Sequence, residues 1–93
     1  MLTLEQARKA VRLSAKTFDD ELAALIAAGI ADLKTAGVKE MPDDQLYDNA
    51  LRMYVKGHFE VDAPGAADCR AIFEDIKLSM KLTDFYKEAG QNA

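Results

Sequence analysis

The sequence predicts an all-α fold, a small bundle of four helices with short loops, formed as a single domain over residues 1–93. Three observations predict it. Apolar residues recur at three- and four-residue steps in four separate stretches. Helix-initiating or helix-ending residues bound these stretches, among them Thr3, the Asp19-Asp20-Glu21 run, Gly37, Pro42-Asp43-Asp44 and the turn ending at Gly65. No stretch keeps the two-residue alternation of a half-buried strand.

The first helix opens on a capping box, Thr3-Leu4-Glu5-Gln6, with Thr3 as N-cap and Gln6 reaching back to it. It runs to about Leu13 and turns Leu4, Ala7, Ala10 and Val11 inward. So short and weakly apolar a helix depends on packing for its stability. Ser14-Ala15-Lys16 joins it to the longest stretch, Thr17 to Gly37, which serves as the hub of the fold. Thr17 is placed to cap, and Asp19, Asp20 and Glu21 crowd the first turn, where carboxylates favour the positive end of the helix dipole. Leu22, Leu25, Ile26, Gly29, Ile30 and Leu33 share one face, and Gly37 is suited to the left-handed residue that ends a helix. Such a helix of roughly 19 residues is about 28 Å long. Gly29 inside it costs about 1 kcal/mol relative to Ala, so it is expected where another backbone comes close.

Pro42-Asp43-Asp44 starts a third helix that runs to about Gly57, with Leu46, Ala50, Leu51, Tyr54 and Val55 on its apolar side. Tyr47 and Met53 fall off that stripe and are expected half exposed; His58 falls just past the end. The Asp62-Ala63-Pro64-Gly65 turn starts a fourth helix, in which Ala66, Cys69, Ile72, Phe73, Ile76 and Met80 follow at helical spacing to about Leu82. Thr83 to Tyr86 leads into a polar tail, Lys87 to Ala93, expected to fray. Phe18, Phe85 and Tyr86 sit at element ends, where they either plug the bundle or, for Phe85 and Tyr86, anchor a partner.

Composition narrows the function classes. With 49% hydrophobic and 30% charged residues, a chain of 93 residues is globular and has a modest core. No apolar run approaches the ~18 residues of a membrane span, and no membrane partner is expected. MLTLEQARKA lacks the apolar centre and cleavage site of a signal peptide, and the lone Cys69 has no disulfide partner within the chain. Both features favour a protein made and used in the cytoplasm of its cell.

A net charge of −4 argues against a general nucleic-acid binder, because phosphate neutralisation drives such binding. The charge is unevenly spread. Residues 1–16 carry Arg8, Lys9, Arg12 and Lys16 against Glu5 alone, whereas residues 17–50 carry only Lys34 and Lys39 against a majority of carboxylates. Arg8, Arg12 and Lys16, spaced by four, line one edge if the helix continues. That edge is either a solvated face or a surface meeting an acidic edge of a neighbouring copy, for which Asp43, Asp44 and Asp48 are the candidates.

Catalytic signatures are missing from the sequence. His58-Phe59-Glu60 with Cys69 resembles a piece of a zinc deaminase, but the P-C-x-x-C element is absent. One His and one Cys fall short of a metal site, and a lone cysteine on an apolar stripe is ordinarily a small core residue. There is no phosphate-binding glycine loop. The Asp19–Glu21 and Asp43-Asp44 clusters sit in first turns of helices, where charge–dipole complementarity explains them. A helix-turn-helix would have to present an acidic helix N-terminus to DNA. Neither an enzyme nor a cofactor is expected.

Three strings carry a resemblance: TFDDELAALIAAGIADLKTAGV, DDQLYDNALRMYVKGHFEVDAP and IFEDIKLSMKLTDFY. Together they resemble the small head–tail connector (adaptor, head-completion) proteins of long-tailed bacteriophages and prophages. The corresponding positions are Phe18 to Leu22, Asp32 to Val38, Ala50 to Phe59, Asp62 to Pro64 and Leu78 to Leu82. The resemblance implies a small helical bundle that assembles as a ring, a dodecamer in the virion, beneath the portal. Viral DNA passes through that ring, which joins capsid to tail. It also implies that the portal protein and tail-side completion proteins are partners, that the protein resides at the head–tail junction, and that it is made in the bacterial cytoplasm. A ring needs two different, complementary surfaces on each subunit, and a net acidic subunit suits a lumen along which DNA slides. The alternative from a different class is a small cytoplasmic helical regulator or protein-binding module, in one version DNA-binding.

Overall fold

The computed structural model describes residues 1–88. It contains four α-helices, α1 (Leu4–Ala10), α2 (Asp19–Thr35), α3 (Gln45–Phe59) and α4 (Ala66–Lys81), followed by a single 3₁₀ turn, Asp84–Tyr86. The fold is all-α, a small four-helix bundle.

The capping box at α1 forms as expected: the Gln6 amide donates to Thr3 Oγ1 at 3.1 Å and the Thr3 amide to Gln6 Oε1 at 2.9 Å. The helix ends at Ala10, short of Leu13, because Arg12 adopts a left-handed backbone with φ of 63°. Leu4 is 36% exposed, contrary to its expected inward position. Leu2, one residue before the cap, is buried with Ala7 in the same core, the hydrophobic staple that fixes how the chain enters a helix.

α2 starts two residues later than Thr17. Phe18 occupies the N-cap without a side-chain bond, so Thr17 does not cap. The apolar face of the helix is as expected, except that Gly29 faces the side chains of Leu51 and Tyr54 and not another backbone. Leu22, Gly29 and Leu33 are buried, with Leu25, Ile26 and Ile30 packed beside them. Gly37 ends the helix with φ of 92°. The amides of Gly37 and Val38 turn back to the carbonyls of Lys34 and Leu33, both at 2.9 Å, and Val38 is buried. This double return satisfies carbonyls that the helix leaves open and seats an apolar residue just past its end.

Asp44 caps α3 by accepting from the Tyr47 amide at 3.0 Å. α3 continues two residues beyond Gly57 and takes in His58, whose Nδ1 donates to the Tyr54 carbonyl at 2.8 Å. Leu46 is 38% exposed while Tyr47 is fully buried, the reverse of the expected order. The buried stripe runs Tyr47, Ala50, Leu51, Val55, and in that register Leu46 falls on its flank.

In α4, Ala66, Phe73 and Met80 repeat every seven residues on the buried face. Cys69 and Ile76 are half-buried and Ile72 is exposed, outside the stripe on which it was expected. α3 and α4 pack antiparallel: Tyr54 meets Phe73 edge-on with ring centroids 5.1 Å apart, and Gly57 meets Arg70. Lys77 ties α4 to α2 through Asp32 at 2.7 Å. Its burial lowers the ammonium pKa, but hydrogen bonds and charge from Asp32 and Glu74 outweigh that and raise it.

The segment after α4 does not fray at its start. The Lys39 amide donates to the Tyr86 carbonyl and the Glu88 amide to the Gly37 carbonyl, both at 2.9 Å, and Lys87 bridges Val38 in antiparallel sense. Of the tail expected to fray, Lys87 and Glu88 are therefore anchored, and positions 89–93 lie outside the described residues.

Candidate interaction surface

Residue by residue, the structure breaks up the basic edge that the sequence suggests. Arg8 lies on α1, but Arg12 and Lys16 follow the end of the helix, so the three do not share a helical edge. The Arg8 guanidinium is spent within the chain: its Nη1 donates to both carboxylate oxygens of Asp19, at 2.9 and 2.8 Å. This pair ties the end of α1 to the first turn of α2. Arg12 and Lys16 are exposed and form no ion pair among the described residues.

The acidic candidates separate in the same way. Asp44 is the N-cap of α3 and also accepts from the Tyr86 hydroxyl at 2.9 Å. Asp48 lies half-buried, 3.4 Å from the α-amino group of Met1. Asp43 is exposed at the tip of the α2–α3 connection, beside exposed Glu40 and Pro42. Of the two aromatic candidates, Tyr86 is half-buried and Phe85 is 60% exposed. Lys39 Nζ sits 6.0 Å from the centre of the Phe85 ring, and Tyr86 meets that ring edge-on at 5.1 Å. Phe85 thus stands outward on a supported base, next to the Glu40–Asp44 tip; together they line a shallow recess.

At the other end of α3 lies a feature that sequence reasoning missed. The last residues of α1, the C-terminal end of α3, and the loop leading into α4 enclose an open cleft of about 480 Å³. Val11, Phe59, Pro64, Ala66 and Cys69 give it an apolar lining, with Arg12, Lys56 and Glu60 as its charged residues. Phe59 is held by Phe18, edge-on with centroids 5.6 Å apart, so Phe18, itself 44% exposed, props the cleft wall. Cys69, read as a core residue, lines this cleft half-buried. The Asp62-Ala63-Pro64-Gly65 turn was legible as a turn, but nothing in the sequence says that it faces Arg12.

His58 stacks on Tyr54 with centroids 4.0 Å apart. Among the described residues, no group of three or more His, Cys, Asp and Glu side chains is placed to hold a metal ion. Burial pushes the Tyr47 phenol up to about 12, with added repulsion from Glu40, Asp48 and Glu88; Tyr86 is raised by burial and by its bond to Asp44. Both tyrosines are neutral packing groups at physiological pH. No helix among the described residues is long and apolar enough to cross a membrane.

Leu78 and Leu82 stand on the outer side of α4, four residues apart, with Leu82 74% exposed. The chain matches no family model, no curated protein and no solved structure.

Proposed function

We propose that this chain is a structural, non-enzymatic subunit that joins copies of itself into a ring, and that it serves as a head–tail connector beneath a viral portal. One observation carries the reading. The two ends of the α3–α4 pair expose surfaces of different character, an acidic tip with a protruding aromatic at one end and a cation-edged apolar cleft at the other. Rings require such a pair of unlike surfaces, since each subunit gives one face and receives on another. The resemblance of residues 17–38, 43–64 and 72–86 to connector proteins supplies the setting. The net charge of −4 is compatible with a lumen that lets duplex DNA pass without gripping it.

The test is assembly. The purified protein, alone at low salt and mixed with portal rings, is examined by native mass spectrometry and negative-stain microscopy. Closed rings of one size, alone or on the portal, are expected. A monomer under both conditions would overturn the reading. Tight, sequence-specific duplex binding at physiological salt would replace it with a regulator.

A further inference from the structure

We infer that the Phe85 tip of one copy docks into the cleft edged by Arg12 and Lys56 of the next copy. The inference rests on the ring reading above and identifies the two surfaces that would close the ring.

Position is the first argument. The Glu40–Asp44 part of the tip, beside which Phe85 sits, directly precedes α3, and the cleft directly follows it, so the two lie at opposite ends of a helix of 15 residues, roughly 22 Å long. Surfaces at opposite ends of a rigid element cannot meet within one molecule. They can meet only between molecules, head to tail.

Charge is the second argument. Arg12 and Lys56 are exposed cations, Glu40 and Asp43 are exposed anions, and none of the four forms an ion pair among the described residues. The minority charges match as well, since Glu60 stands at the cleft and Lys39 at the base of Phe85. Complementary fields of this kind set register and suppress the like-to-like pairing that would give closed dimers.

Shape is the third argument. An opening of about 480 Å³ falls within the range that takes a compact organic group, and its lining is largely apolar. The tip offers a rigid aromatic with little conformational entropy to lose. Fully buried aromatics of this type dominate interface energetics.

The experiment is a charge exchange followed by sedimentation and light scattering at low salt, with and without portal rings. Arg12→Glu with Lys56→Glu reverses the cleft, and Glu40→Lys with Asp43→Lys reverses the tip. All four positions are exposed, so thermal melting should show each variant folded. Each pair alone should weaken self-association by roughly tenfold or more, and the two together should restore it. Phe85→Ser should weaken association without any charge change.

The outcomes separate the two proposals. Rings that form normally with both single reversals overturn this interface and leave the ring reading standing. Reversals that leave rings intact but stop attachment to the portal assign the cleft to the portal and overturn self-docking. Symmetric dimers in place of open or closed chains also overturn it. A wild-type chain that stays monomeric with portal rings present overturns both.

Discussion

Gly57 of α3 lies against Arg70 of α4 so closely that a methyl group at Gly57 would stand 2.6 Å from Arg70 Cγ and 3.1 Å from the Arg70 backbone nitrogen. The Arg70 guanidinium reaches back over the same spot, donating to the Gly57 carbonyl at 2.7 Å and to the Val61 carbonyl at 3.1 Å. One arginine thus fills the gap that the glycine leaves and satisfies carbonyls at the end of α3, where the helix has no further amide to offer. The cleft wall is built on this junction, because Phe59 and Glu60 follow it directly.

Gly57→Ala should therefore destabilise the fold by about 1–3 kcal/mol, since the crowding includes a backbone atom and outweighs the helix-propensity gain of about 1 kcal/mol. Arg70→Ala should cost about 1–2 kcal/mol through the carbonyls it strands. Urea unfolding measures both. A Gly57→Ala protein as stable as the wild type would show that the α3–α4 packing is looser than described.

Gly29 is a milder version of the same situation. A methyl there would lie 3.1 Å from Leu51 Cδ2 and 3.2 Å from Tyr54 Cγ, so its neighbours are side chains and not the backbone that was expected. Tyr54 is held between His58 and Phe73 and has little room to yield. Gly29→Ala should lower the melting temperature, by less than Gly57→Ala does, with a net cost of about 1 kcal/mol.

The Tyr47 hydroxyl is buried with no hydrogen-bond partner among the described residues. A buried, unsatisfied polar group costs about 1–3 kcal/mol, so Tyr47→Phe should leave stability unchanged or raise it. Its phenol, pushed up to about 12 from 10.0, also makes stability depend on pH. A raised pKa in the folded state means that the folded chain holds its proton where the unfolded chain releases it. The contribution is whole below pH 10 and is lost as pH climbs toward 12. Tyr86 is shifted in the same direction. Melting temperature measured from neutral into that alkaline range should fall less steeply in Tyr47→Phe than in the wild type.

Tyr86→Phe should behave differently, because its hydroxyl has a partner in Asp44. Losing that bond should cost about 0.5–1.5 kcal/mol and loosen the segment that pairs with Gly37 to Lys39. Hydrogen exchange at the Lys39 and Glu88 amides reads this out, since both bond across that junction. Unchanged protection would show that the backbone bonds hold the strap unaided.

In the Arg8–Asp19 pair one guanidinium nitrogen donates to both carboxylate oxygens, and its partial burial lifts it above an ordinary surface pair. A double-mutant cycle with Arg8→Ala and Asp19→Ala should give a coupling of about 1 kcal/mol. Substitutions at Arg8 will therefore report on folding before they report on assembly. That makes Arg12, and not Arg8, the informative position for testing contacts between copies.

Helix number, order and most boundaries were legible in the sequence because they follow from short-range physics. The Thr3–Gln6 capping box, Asp44 at a helix start and Gly37 at a helix end act within a few residues and need no tertiary partner. Thr17 misled because Phe18 and Asp19 already begin the helix, with Arg8 drawing Asp19 inward. Tyr47 misled because the apolar stripe was registered on Leu46, whereas the buried stripe runs through Tyr47, one residue on.

An all-α chain with an uneven charge distribution and aromatics at its ends can be read from local spacing and composition alone. Which charges remain free for a partner depends instead on how the folded helices stack. Arg8 finds Asp19 across a loop, Asp44 finds Tyr86 from the far end of the chain, and Arg12 comes to face the α3–α4 turn. Pairings between residues 11 and 42 positions apart depend on how helices stack, and no local pattern of residues encodes that distance.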